Sequence, residues 1–144
     1  MVVPQRKFRE IVFQMVFSQD LNESIDFKTI TSLLDQLTVT KKTLRQAHVR
    51  MQSVFEKQDE IDELTSLCSK SYDFKRISCV ERNILRLGVF ELLHDEEIPP
   101  KVTLSEAVRL SRKFGTPEGG AFVNAVLDTI YQKQIKERVA LTSG

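Results

Sequence analysis

The chain has 144 residues, of which 41% are apolar and 28% charged, with only 5 Gly and 4 Pro. This balance is typical of one globular domain with its own core and excludes a disordered tail. The net charge of +1 excludes a protein coated in positive charge, although it allows a local basic patch. No apolar run approaches the roughly 18 residues of a membrane span, and the N-terminus lacks a signal-peptide core, so we expect a cytoplasmic protein without a membrane contact.

The sequence contains two cysteines and two histidines, which are Cys68, Cys79, His48 and His94. These four side chains are the thiols and imidazoles available for a disulfide or a zinc site. A chain of this size needs no disulfide, and we expect both cysteines to stay reduced. A four-ligand zinc site cannot be assembled from this set at usable spacing. The phosphate-binding Walker loop and the motifs G-x-S-x-G and H-E-x-x-H are absent from the sequence. We therefore expect no metal and no cofactor; the missing motifs make catalysis less expected but do not exclude it, because enzymes can lack such motifs.

Helical periodicity dominates the first half of the chain, where apolar residues recur every three or four positions. It predicts helices over residues 6–19 and 27–37, separated by a polar turn over residues 20–26. Thr40 is placed to cap the next helix. A further short helix carries Ile61, Leu64, Leu67 and Cys68, and a polar connection follows over residues 73–78.

The second half has stronger signals. Residues 80–93 are apolar nearly all round, which predicts a helix contacted on most sides, with Arg82, Arg86 and Glu91 as its polar exceptions. Pro99 and Pro100 then interrupt the helical pattern.

Two further helices are predicted after this break. Thr103 and Glu106 have the spacing of a capping box. Gly115 is placed where a left-handed residue would end the helix, and Thr116-Pro117-Glu118 predicts a new helix start.

The pattern as a whole predicts an all-α fold of six or seven helices, packed as two small bundles. We expect one cooperative domain over residues 1–136, with sub-bundles over about 1–72 and 79–136. A polar tail is expected over residues 137–144.

One face of the first helix combines cations with aromatic rings. Its members are Arg6, Arg9, Glu10, Phe13 and Phe17, with Lys7 at the margin. Arginines hold phosphates and ring faces accept unstacked bases, so this combination suits single-stranded RNA. The alternative is that the rings pack on a neighbouring helix and the cations are solvated, and the residues alone favour that alternative. Phe122, in the last helix, is likewise either a core-edge residue or an exposed ring.

Four segments of the second half resemble, in order and spacing, the NusB family of bacterial transcription antitermination factors. They are Glu81–Leu93, Ile98–Val102, Ser105–Leu110 and Phe122–Asp128. Arg9 and Glu10 also fit the N-terminal helix of that family.

The resemblance implies a fold and a function. The fold would be two small helical bundles, with no catalysed reaction. The chain would bind boxA-type RNA, the single-stranded element in leaders of ribosomal RNA operons. It would form a heterodimer with NusE, the small-subunit ribosomal protein that doubles as a transcription factor. The pair would load onto RNA polymerase with other Nus factors and suppress termination. Some family members self-associate, so a homodimer also stays open.

The family's functional positions correspond to nine residues of this chain. RNA contacts are implied for Arg6, Lys7, Arg9, Phe17, Lys101, Glu118 and Phe122. Partner contacts are implied for Glu81 and Arg76.

Two departures from the family pattern predict weaker RNA binding by the protein alone. Gln5 replaces an arginine of strongly basic relatives, and Gly119, Gly120 and Ala121 replace polar or basic residues. An alternative function is therefore a helical protein–protein adapter whose RNA surface has decayed. A third is the non-catalytic half of a ribosomal RNA methyltransferase, although we expect no room for a cofactor domain before Gly144.

Overall fold

The computed structural model describes residues 5–21, 39–69 and 77–135, and these residues form helices joined by short turns. The helices are α1 (Gln5–Leu21), α2 (Lys41–Glu56), α3 (Gln58–Cys68), α4 (Cys79–His94), α5 (Pro100–Phe114) and α6 (Pro117–Ile130), followed by a π-helical turn (Tyr131–Ile135). No strand occurs in these ranges, which confirms the all-α prediction. The predicted helix over residues 27–37, the connection up to residue 76 and the polar tail lie outside the described residues.

The chain divides into two compact units, residues 1–56 and 57–144. This boundary lies earlier than the predicted break around residues 73–78. The difference arises because α3 packs on α4 and α6, so it belongs with the second half of the chain.

The first unit contains α1 packed on α2. Burial follows the predicted apolar spacing and also includes Phe13. The core residues are Ile11, Val12, Phe13, Met15 and Val16 from α1 and Leu44, Ala47, Met51 and Val54 from α2. Thr40 caps α2 as predicted, since its Oγ1 accepts a hydrogen bond from the Thr43 backbone N–H at 3.2 Å.

Helix α4 is the centre of the second unit. All nine residues from Asn83 to Glu91 are buried, and α4 contacts α3, α5, α6 and the π-helical turn. A Cβ atom on Gly88 would lie 2.9 Å from Cδ1 of Leu127, so this glycine lets α6 approach α4 closely. The prediction of a helix surrounded by neighbours is confirmed.

Two polar exceptions of α4 connect it to other helices. Arg86 donates two hydrogen bonds to the Asp62 carboxylate of α3, at 3.0 and 2.9 Å. Glu91 accepts one from Thr103 Oγ1 of α5 at 2.9 Å. Both α4 side chains are buried, and burial requires such partners.

The ends of α5 correct two predictions. Thr103 does not cap this helix, which begins at Pro100 after Pro99; its hydroxyl bonds to Glu91 instead. Glu106 pairs with Arg109 one turn further on, at 2.6 Å. Gly115 has a φ of −131°, so it is not left-handed.

Helix α6 begins as predicted. Thr116 is its N-cap, with Oγ1 accepting a hydrogen bond from the Gly119 backbone N–H at 3.0 Å, and Pro117 is its first residue. No described helix is long and apolar enough to cross a membrane. In the described ranges, no three His, Cys, Asp or Glu side chains are arranged to hold a metal ion.

Candidate nucleic-acid interface

The candidate RNA-binding residues fall in both compact units, four in the first and three in the second. Arg6, Lys7, Arg9 and Phe17 belong to α1. Lys101 belongs to α5, and Glu118 and Phe122 belong to α6.

The first turn of α1 presents cations to solvent. Arg6 is exposed and Lys7 is partly exposed. Phe17 follows Arg6 by three helical turns on the same face, about 16 Å along the helix axis. Its ring is half-buried and lies 6.0 Å from the Phe13 ring, centroid to centroid, at an angle of 36°. Phe13 therefore supports the Phe17 ring, whose remaining surface is accessible.

The middle of this face of α1 is buried. Arg9 is only 7% exposed and Phe13 only 2%. Burial extends around more of the α1 circumference than one apolar stripe, because Arg9 is buried as well as the three consecutive residues Ile11, Val12 and Phe13. For Phe13 the packing alternative is therefore correct.

In the second unit, Glu118 and Phe122 lie one turn apart at the start of α6. Glu118 is exposed and Phe122 is half-buried. Lys101 is exposed in the first turn of α5, about 20 Å along that helix from the turn that leads to α6. The structure therefore groups Glu118 with Phe122 and leaves Lys101 at the other end of α5.

The predicted partner residue Glu81 lies beside this α6 group. It is in the first turn of α4, where its backbone N–H donates to the Ser78 cap at 3.2 Å. Its carboxylate oxygen Oε1 occupies the space that a Cβ atom on Gly119 would take. Arg76, the second partner candidate, lies outside the described residues.

Both glycines that depart from the family pattern are buried. Gly119 faces the Glu81 side chain, and a Cβ atom on Gly120 would lie 3.7 Å from Ser111 Cβ and Val108 Cγ1. Only Ala121 of this segment is exposed. The family resemblance indicates lost RNA contacts at these glycines but not their packing. Spacing along the chain does not reveal contacts with α4 and α5.

The fold and the candidate surfaces define an all-α domain with a cationic first helix turn and two partly accessible aromatic rings. The NusB family model matches residues 6–132. The chain therefore belongs to the NusB family.

Two relatives and a solved complex illustrate the similarity. The transcription antitermination protein NusB of Pseudothermotoga lettingae is 39% identical over 127 residues, covering 86% of this chain and 88% of that protein. The Thermotoga maritima NusB structure is 33% identical with a TM-score of 0.82, covering 97% of this chain and 99% of that one. A crystal structure of the antitermination factors NusB and NusE in complex with double-stranded RNA matches at 26% identity and a TM-score of 0.77. It covers 89% of this chain and 96% of that one.

Proposed function

We propose that this protein is the RNA-binding subunit of a transcription antitermination complex, which binds boxA-type single-stranded RNA together with NusE and promotes ribosomal RNA transcription. The observation that carries the proposal is the family match over residues 6–132, which includes every described candidate residue. The similar structure that contains NusB, NusE and double-stranded RNA supports the pairing with NusE and the binding of RNA. The pair would act on RNA polymerase with other Nus factors.

The cations and the aromatic ring of α1 would bind different parts of the RNA. Arg6 and Lys7 contact phosphates, and the accessible part of the Phe17 ring stacks on an unpaired base. Arg9 contributes differently, because its burial means that its replacement would also disturb the packing of α1. In the second unit, Phe122 offers another ring surface, next to Glu118.

The proposed activity is binding alone, without a catalysed reaction, a cofactor or a metal. Its support is that the similar proteins are named transcription antitermination proteins and not enzymes. The site of action is the cytoplasm, where bacterial transcription takes place.

Replacing Arg6 and Lys7 together by alanine is expected to weaken RNA binding without unfolding the protein. Each lost phosphate contact lowers the slope of log K against log salt by about 0.7 for single-stranded RNA, so the double variant should lose about 1.4. Fluorescence anisotropy of a labelled boxA-type RNA, titrated at several salt concentrations, measures both the affinity and the slope.

The matched control for that variant is Lys41→Ala with Lys42→Ala. It also removes two positive charges, but from the exposed start of α2 in the same unit. The control should bind RNA nearly as the wild type does. Equal losses in both double variants would mean that α1 has no specific role and that only overall charge matters.

The adapter function is the second candidate. The observation that favours it is the burial of Arg9, which removes one of three N-terminal cations from the surface. An adapter would bind NusE with no measurable RNA affinity, whereas the RNA-binding subunit binds both.

A further inference from the structure

The first turn of α4 contacts the first turn of α6 through a glutamate and a glycine. A Cβ atom on Gly119 would overlap Oε1 of Glu81 and would lie 3.2 Å from both its Cδ and Cγ atoms. The Glu81 side chain therefore lies along the bare Cα of Gly119. Close by, a Cβ atom on Gly115, the residue that directly follows α5, would lie 3.3 Å from Cγ1 of Val80, so the start of α4 also lies against the turn between α5 and α6.

The backbone does not require a glycine at residue 119. No described glycine has a positive φ, and Gly119 lies in a regular helical turn. An L-residue could adopt this conformation without strain, since helical angles are open to all of them. The property that glycine supplies here is the space for the Glu81 side chain.

The direction of the Glu81 side chain is also unusual for its position. Ser78 and Glu81 have the spacing of a capping box, in which the glutamate turns back to the N-terminus of its own helix. Here the carboxylate lies on α6 instead. Within the described part of the chain, this half-buried carboxylate accepts no hydrogen bond and forms no ion pair, so its oxygens are available to a cation from outside.

We infer that Gly119 is a positioning residue, which seats the Glu81 carboxylate against the start of α6 and so presents it to a basic group of a partner protein. This inference rests on the proposed function and on the partner contact that the family resemblance implies for Glu81. Gly119, which the Glu81 carboxylate contacts, directly follows Glu118 and precedes Phe122 by one turn, and these two are the candidate RNA contacts of α6. Partner binding and RNA binding therefore use adjoining surfaces.

The test compares Gly119→Ala with Gly120→Ala by isothermal titration of NusE. Because the atom in the way is the end of a flexible side chain, Gly119→Ala should displace the Glu81 carboxylate and leave the fold intact. Affinity for NusE should fall roughly 10- to 100-fold, the range for losing one charged hydrogen bond. Gly120→Ala adds a Cβ atom at ordinary contact distance and should change the affinity less than about twofold.

A double-mutant cycle separates positioning from a general structural effect. In a Glu81→Ala background, Gly119→Ala should cause no further loss of NusE affinity, because the side chain that it displaces is gone. An equal loss in both backgrounds would overturn the inference. Glu81→Asp gives a second approach that leaves residue 119 unchanged: the shorter side chain withdraws the carboxylate and should also weaken NusE binding.

The outcomes distinguish this inference from the proposed function. If the wild type binds NusE and RNA but Gly119→Ala binds NusE equally well, the positioning role is wrong and the proposed function stands. If the wild type binds neither NusE nor boxA-type RNA, both fail. Melting temperatures of all variants, measured in parallel, should stay close to that of the wild type.

Discussion

Leu85→Ala is expected to lower the free energy of unfolding by about 2–5 kcal/mol, the range for removing a large buried aliphatic side chain. Leu85 is only 1% exposed and lies within the nine consecutive buried residues of α4. Helix α4 contacts every other described helix of the second unit. Because neighbours surround it, a cavity left at Leu85 cannot be filled by a small local movement of the chain. Urea denaturation, with the slope compared between variants, measures the loss.

The matched control is Leu67→Ala in α3. Leu67 is 58% exposed, so the same substitution should change stability by no more than about 0.5 kcal/mol. An unchanged midpoint for Leu85→Ala would contradict the central position of α4.

Asp62→Ala is expected to lower the free energy of unfolding by about 3–5 kcal/mol, because it removes a carboxylate that accepts two hydrogen bonds from the buried Arg86 guanidinium. The Arg86 side chain is 5% exposed and that of Asp62 21%, and both nitrogens that bond to Asp62 lie within 3.0 Å of its oxygens. Arg86 also donates to Asn83 Oδ1 at 3.2 Å, and this hydrogen bond to a neutral amide does not depend on Asp62. Thermal and urea unfolding measure the loss.

The control for this prediction is Glu60→Ala, which also removes an α3 carboxylate that faces α4. Glu60 lies 3.6 Å from His94, but the two side chains are 53% and 29% exposed. Exposed pairs contribute little, so the change should stay within about 1 kcal/mol. Equal losses of stability in both variants would mean that removing any α3 carboxylate destabilises the helix. The buried Arg86–Asp62 pair would then contribute no more than the exposed pair.

The helices were largely predictable because their signals are local. The apolar pattern around Leu85 predicted a surrounded helix, and Thr116-Pro117 predicted the start of α6. Both signals arise from neighbours within one or two turns, where sequence spacing and spatial contact coincide.

The wrong predictions share a different cause, which is competition from contacts between helices. The Thr103 hydroxyl bonds to Glu91 of α4 and so does not cap its own helix. Both interpretations of the cationic face of α1 likewise left Arg9 in solvent, although it is buried. A repeat of three or four residues identifies one face of a helix but does not say which faces a neighbour covers.

The candidate site was predictable only in part for the same reason. Resemblance to a family assigned Glu81 to partner binding and Phe122 to RNA binding, and it treated Gly119 as a lost contact. The contact between Glu81 and Gly119 joins residues that are far apart in the chain, and no local pattern encodes it.

The measurement to make first tests whether this protein and NusE bind RNA through a joint surface. Fluorescence anisotropy gives the affinity of labelled boxA-type RNA for this protein alone and then with equimolar NusE, at one stated salt concentration. We expect weak binding by the protein alone and tighter binding with NusE. Linkage requires that RNA then tighten the protein pair by the same factor, which isothermal titration can check. Identical RNA affinity with and without NusE would contradict a joint binding surface. A protein pair that forms but binds no RNA would establish the adapter function instead.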